Sequence, residues 1–306
     1  MYLNTLDVKL TPRTETDSYN LKINESTLEI LCLIYEFKVA TGWHISRFLT
    51  QRDLDKYIYA KLHRMWKAGL LESFKVYSGS LAGIPVFYML GKAGLKVLAE
   101  HGKYSEVQLR IYPHAKTLLS WGLFKHESQI VELASLEVKN KSKNFNITFK
   151  GEISSLSQEL LSNRPVKALT PDYTVLYHIG AMEQYVYSEF ERALKSKDVM
   201  LQKVERYASQ WTPEERATKT LRFIFQTPHM EQSFWMNILS NKPSLLHHLR
   251  ILTTNLSLLQ DHVQFLEPIY LSESTVKLLK DGKLKLDTST RTKLFAFLWH
   301  LHTLKN

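Results

Sequence analysis

The sequence predicts an α+β fold, and three observations carry that prediction. Helical periodicity begins after about residue 24, and two short strands joined by a Gly/Ser turn close by residue 90. Strands and helices then alternate up to about residue 230, ahead of a mostly helical remainder.

Residues 1–24 read as a polar leader. Ser26 is a suitable N-cap, and the stripe Leu28, Leu31, Ile34 and Tyr35 follows it. Thr41-Gly42 breaks the periodicity. A short helix is expected around Ile45 to Leu49. A longer one opens at Thr50 or Arg52, carries Leu54, Ile58, Leu62 and Met65 on one face, and closes with Gly69 as its C′ residue. Leu70 to Tyr77 and Ile84 to Leu90 read as strands, with Ser78-Gly79-Ser80-Leu81-Ala82-Gly83 between them. A helix from Lys92 to His101 completes the set. This order over residues 25–108 is that of a winged helix-turn-helix, whose third helix enters the major groove of DNA.

The boundary is expected between residues 105 and 112, with a second domain over 109–230. A helix from Tyr112 to Val138 precedes a strand near Phe145 to Ile153 and an irregular stretch from Leu156 to Pro165. Strands Tyr173 to Ile179 and Tyr185 to Glu191 flank a turn at Gly180 to Glu183. Helix Lys197 to Trp211 and strand Leu221 to Gln226 follow. Residues 231–306 are expected to be a mostly helical extension, with a short strand at Phe265 to Leu271.

Composition narrows the class. Hydrophobic residues at 44% and charged residues at 23% exclude a disordered chain. The net charge of +10 favours a polyanionic partner, with nucleic acid ahead of a membrane surface. A single cysteine, Cys32, excludes an internal disulfide and a thiolate zinc cluster, and it lies in an apolar run where a buried structural thiol is expected. No apolar run reaches the length of a membrane span, and the N-terminus has no signal-peptide core, so a cytoplasmic protein is expected.

The charge is concentrated. Residues 41–103 hold ten Lys and Arg against four Asp and Glu, which is more than half of the chain's excess. Phosphate neutralisation requires such a concentration. The expected DNA contacts are Arg47, Gln51, Arg52, Lys56, Tyr57, Lys61, Arg64 and Lys75. The loop Ser78 to Gly83 carries no charge, so it would contact DNA through backbone amides and serine hydroxyls. The alternative is a winged helix used to dock a protein.

A second constellation is Pro171-Asp172 with Glu189-Phe190-Glu191. A hairpin turning at Gly180 to Glu183 sets position 172 opposite 191 and 174 opposite 189, so Asp172, Glu189 and Glu191 share a face. Clustered carboxylates repel unless a cation sits among them, and Mg²⁺ suits such oxygens. Lys203 and Tyr207, one turn apart on the next helix, would supply counter-charge or contact phosphate. His126, Glu127 and Glu132 lie on a helix expected beside this sheet. The plain alternative is a solvated strand face with Arg192 in a salt bridge.

This arrangement resembles the PD-(D/E)xK nuclease core. The resemblance implies a restriction-endonuclease-like α/β domain with Asp172 and Glu189 as metal ligands. Asp172, Glu189, Glu191 and Lys203 would then be the catalytic set. The motif's lysine position holds Glu191, so Lys195 or Lys203 would have to substitute. A closer resemblance covers most of residues 25–230. Tyr88-Met89-Leu90-Gly91-Lys92-Ala93-Gly94, His126, Pro171-Asp172, Glu189-Phe190-Glu191-Arg192, and Lys203 with Tyr207 are similar to the replication-relaxation family of plasmids and other mobile elements. That family implies a role in replication or mobilisation, with a nuclease-like domain that often does not cut. Double-stranded DNA is the implied partner. Replication or transfer proteins and a homodimer are compatible with it, and no membrane is implied.

Other patterns carry less. His247-His248 and His300-x-His302 have no third ligand at a metal-binding spacing. No phosphate-binding glycine loop and no Gly-x-Ser-x-Gly elbow occurs. Phe234-Trp235-Met236 reads as core, and the stripe Leu294, Phe297, Leu298 and Leu301 as core or a dimer surface.

Overall fold

The structure, a computed structural model, describes residues 7–10, 21–77, 85–118, 121–139, 146–161, 170–179, 182–193, 195–247, 249–256 and 259. The strand expected at Phe265 to Leu271, the loop Ser78 to Gly83, His300, His302 and the stripe at Leu294 lie outside them. The fold is mixed α and β, with two sheets in two compact units. Among the described residues no helix is long and apolar enough to cross a membrane.

Unit 1 spans Met1–Lys139 and Gly151–Ser162. In order it holds β1 (Asp7–Leu10), α1 (Glu25–Phe37), β2 (Ala40–Thr41), α2 (Gly42–Thr50), α3 (Lys56–Lys67), β3 (Leu71–Tyr77), β4 (Val86–Leu90), α4 (Lys92–Glu100), α5 (Glu106–Arg110), α6 (Ala115–Leu118) and α7 (Trp121–Lys139). Its antiparallel sheet runs β1-β3-β4-β2. The supposed polar leader therefore contributes an edge strand; Asp7-Val8-Lys9-Leu10 alternates in the way such a strand requires. α1 begins at Asn24, not Ser26, because the Asn24 carboxamide accepts the Thr27 N–H. Of its expected stripe Leu31, Ile34 and Tyr35 are fully buried and Leu28 is half-buried, while Ile30 joins the buried face. α3 opens at Asp55, which accepts the N–H groups of Tyr57 and Ile58, so the residues from Thr50 to Leu54 end α2 and form the turn. Gly69 follows α3 at φ 76°, in the left-handed conformation expected of it.

The long helix expected from Tyr112 is helical from Ala115 to Leu118 as α6 and, past two residues outside the described set, from Trp121 to Lys139 as α7. Pro113 disfavours helical backbone at Tyr112, and the Tyr112 hydroxyl instead donates to the Lys38 carbonyl and accepts the Leu90 N–H. That helix also belongs to unit 1 rather than to the second domain drawn from residue 109. Within unit 1 the Lys38 ammonium lies 2.5 Å from Glu127, and α7 packs along α2.

Unit 2 spans residues 140–150 and 163–306. The strand β5 (Asn146–Gly151) runs up to the boundary, and α8 (Glu152–Leu161) replaces the irregular stretch expected there, lying within unit 1. Gly151 sits where a Cβ would fall 1.8 Å from the Glu36 carbonyl oxygen, and its N–H donates to the Glu36 carboxylate at 2.7 Å. The Lys38 ammonium also pairs with Glu152.

β6 (Tyr173–Ile179), β7 (Met182–Glu191), α9 (Lys197–Gln210), α10 (Pro213–Thr218), β8 (Lys219–Phe225), α11 (Pro228–Asn241), a 3₁₀ turn at Pro243–His247 and β9 (Ile251–Asn255) follow. The sheet order is β5-β6-β7-β8-β9. β6 and β7 form an antiparallel hairpin, whereas β7, β8 and β9 are parallel and joined by helices, as parallel strands require. Phe223, Phe225, Phe234, Trp235, Tyr207 and Trp211 centre its core. β9 was not expected. It is held by α11: Trp235 Nε1 donates to Thr253, and Glu231 accepts from Thr253 and Asn255.

Candidate functional site

Two constellations stand out, one in each unit. In unit 1, α3 buries Ile58, Leu62 and Met65 and leaves Lys56, Tyr57, Ala60, His63 and Arg64 exposed. At 100° per residue, these five fall within an arc of about 120° centred on Ala60. Gln51, Arg52 and Leu54 in the preceding turn are exposed too, as is Lys75 on β3. Among the described residues none of Arg52, Lys56 and Arg64 forms an ion pair.

Two expected DNA contacts are engaged elsewhere. Lys61 is 3% exposed, and its ammonium donates to Asn24 Oδ1 at 3.0 Å and to Ser26 Oγ at 2.8 Å. It lies at the edge of the buried face, where its stem covers apolar surface and its head ties α3 to the start of α1. Arg47 donates to Asp53 and Glu132, both at 2.8 Å, and to Ser135. It therefore holds α2 to the following turn and to α7.

Sequence reasoning did not anticipate that clamp. Lys139 lies 2.5 Å from the second Asp53 oxygen, and hydrogen bonding from Lys139 and Arg47 holds the Asp53 carboxyl below its usual range. His44 completes the contact. Its Nδ1 accepts the Thr41 N–H at 3.1 Å, which leaves Nε2 to donate to Glu132 at 2.7 Å. Burial pushes the His44 pKa down, against the opposing pull of Glu132. The capping spacing Thr41 to His44 was the one local signal for it.

In unit 2 the hairpin register is Tyr173↔Ser188 through Ile179↔Met182, so the pairing slips by two residues from the expected one; Gly180 and Ala181 of the expected turn lie outside the described residues. A slip of two preserves faces. Asp172, Glu189 and Glu191 still share a side. Glu189 and Glu191 are 2% and 1% exposed. Lys203 Nζ bridges them, at 2.5 Å from Glu189 and 2.8 Å from Glu191. Tyr207 donates to the other Glu189 oxygen at 2.5 Å, and Lys195 meets the other Glu191 oxygen at 2.7 Å. Asp172 accepts the Phe190 N–H at 2.6 Å.

Burial pushes the Glu189 carboxyl up to about 7, opposed by Lys203 and reinforced by Asp172. Burial draws Lys203 down, but Glu189, Glu191 and Asp172 more than reverse that and hold it above its ordinary value. Tyr207 is pushed far up by burial and by Glu189.

Both oxygens of Glu189 are thus occupied by internal donors. A Mg²⁺ ligated by Asp172 and Glu189 would have to displace Lys203 or Tyr207. Among the described residues no group of three or more His, Cys, Asp or Glu is arranged to hold a metal ion. Glu127 and Glu132, expected beside this cluster, are committed within unit 1 to Lys38 and to His44 with Arg47. Comparison with protein-family models, with curated proteins and with solved structures gives no match.

Proposed function

We propose that this chain binds double-stranded DNA sequence-specifically through α3, as a protein of a plasmid or other mobile element acting in its replication or mobilisation. The observation that carries the reading is the exposed face of α3, which presents Lys56 and Arg64 with Arg52 beside them and, among the described residues, no acidic partner. The chain order α1, β2, α2, α3, β3, β4, with β2 added beside β4, supports a winged helix-turn-helix. Phosphate contacts demand free cations, and base readout demands an exposed helix face that fits the groove. Arg52, Lys56 and Arg64 carry the phosphate and base contacts. Arg47 and Lys61 position the elements that present them.

Reversing charge at Lys56 and Arg64 together abolishes binding to duplex DNA in an anisotropy assay, with the circular dichroism spectrum unchanged. Undiminished affinity refutes the reading. Absence of any affinity at low salt favours a protein-docking adaptor instead.

The strand order β5-β6-β7-β8 with α9 between β7 and β8 supports a PD-(D/E)xK-like unit. In it Lys203 acts as a resident cation, and the unit does not cut. One observation favours the endonuclease reading: Lys203 brings an ammonium to Glu189 and Glu191, where the motif lacks its own lysine. Supercoiled DNA incubated with Mg²⁺ or Mn²⁺ separates the two. Nicking that disappears in Asp172→Ala establishes the enzyme.

A further inference from the structure

α3 carries an apolar component that phosphate binding leaves unused. Among the described residues the large hydrophobic side chains standing in solvent are Leu54, Tyr57, Val107, Val199 and Met236. Leu54 at 72% and Tyr57 at 60% are the two most exposed of these, and they lie three residues apart at the entry to α3. Apolar side chains exposed singly are ordinary, whereas neighbouring ones rimmed by polar residues mark a contact surface.

The surroundings say what it contacts. Arg52 and Lys56 adjoin the pair in sequence, and Arg64 stands about two turns further along the same exposed face of α3. The two nearby carboxylates are already committed: Asp53 to Arg47 and Lys139, and Asp55 to the N–H groups of Tyr57 and Ile58. The entry to α3 therefore exposes apolar and cationic side chains together, which complements a polyanion bearing an apolar feature. Phosphate offers nothing to a leucine, and deoxyribose offers it apolar contact that is the same at every sequence. In the major groove the apolar feature of the base edges is the thymine C5 methyl group. Ala60, one turn beyond Lys56 at the centre of the exposed arc, leaves room for the helix to approach the groove floor.

We propose that Leu54 and Tyr57 read thymine methyl groups, and are the specificity-determining residues at the entry to α3. The proposal rests on the DNA-binding reading above, and it makes thymine-containing duplex sites the preferred ligand.

The test begins with selection of duplexes from a randomised library by the full chain. The enriched duplex is then resynthesised with deoxyuridine replacing thymine one position at a time, which removes only the methyl group. The expected result is a loss of about fourfold in affinity for each contacted methyl. In Leu54→Ser and Tyr57→Ser, both safe for folding because the side chains are exposed, that difference falls to about onefold at the corresponding position.

Equal affinity for thymine and deoxyuridine duplexes overturns the proposal and leaves DNA binding intact. The same discrimination in the serine variants places methyl reading elsewhere and overturns the assignment. No enrichment and no affinity at low salt overturns the DNA-binding reading and this proposal together. A patch that instead joins two copies shows as a dimer in sedimentation that both serine variants dissociate without loss of DNA affinity, which also overturns it.

Discussion

Replacing Lys203 by methionine tests the ion cluster of unit 2. The change keeps the unbranched shape and removes the charge. Lys203 Nζ is 2.5 Å from Glu189 and 2.8 Å from Glu191, and both glutamate side chains are 2% exposed. Without it, among the described residues, Glu189 keeps the Tyr207 hydroxyl and Glu191 keeps Lys195. Breaking one partner out of a buried pair costs about 3–5 kcal/mol, because the remaining charge is stranded in low dielectric. That is a large fraction of the ~5–15 kcal/mol that holds a typical domain. Urea unfolding followed by tryptophan fluorescence measures it.

The loss depends on pH in a stated direction. The folded Glu189 pKa, about 7, lies above the unfolded value of 4.5. Its contribution to stability is present below about pH 4.5 and is lost as pH rises through 7. Removing the ammonium raises the Glu189 pKa further, so Lys203→Met is more damaging at pH 8 than at pH 5. Adding Glu189→Gln to Lys203→Met recovers much of the loss, because the stranded charge is gone. A loss below about 1 kcal/mol at pH 8, or a loss that does not vary with pH, refutes this physical reasoning.

Further outcomes follow from unit 1. Lys61→Ala leaves DNA affinity within about twofold but lowers stability by about 1–3 kcal/mol, since the ammonium bonds to Asn24 and Ser26 rather than reaching solvent. Thermal melts and anisotropy on one preparation check both halves. Gly151→Ala destabilises by about 3 kcal/mol, because the new Cβ falls against the Glu36 backbone carbonyl, which has no rotamer with which to yield. Chemical denaturation measures that loss. His44 titrates below its ordinary value in the folded chain, so the unfolded chain takes the proton first. The stability due to neutral His44 is full above about pH 6.5 and falls as pH drops through the folded value. His44→Gln flattens the melting temperature between pH 7 and pH 5 relative to the parent.

What the sequence revealed and what it hid follow one physical division. α3 was legible because its apolar residues recur at helical spacing, and the charge excess could be counted directly. Which cations were free was not legible. Lys56 and Lys61 sit on one helix and differ by its rotation and by the position of α1, which brings Asn24 and Ser26 within reach of one and not the other. The Arg47 partner Glu132 lies 85 residues away, beyond any local pattern. The carboxylate face survived a two-residue error in register because side chains alternate with period two, whereas a slip of one would have dispersed it. Lys203 and Tyr207 were placed together by their helical spacing, and both reach Glu189. The allegiance of α7 was hidden because tertiary ion pairs from Lys38 and Arg47 and a hydrogen bond from His44 tie it to unit 1. β1 and β9 were missed because four or five residues carry too little periodicity to stand out from a polar segment or a helical one.

The salt dependence of duplex DNA binding tests the assignment of α3 most directly. With a selected duplex, the logarithm of the affinity falls linearly with the logarithm of the salt concentration. Each phosphate contact contributes a slope of about −0.9, so Lys56→Ala and Arg64→Ala each reduce the steepness by about one where they meet phosphate. Lys61→Ala leaves the slope unchanged. A parent chain with no affinity at low salt, or a slope that Lys61→Ala lowers while Lys56→Ala and Arg64→Ala do not, contradicts the assignment.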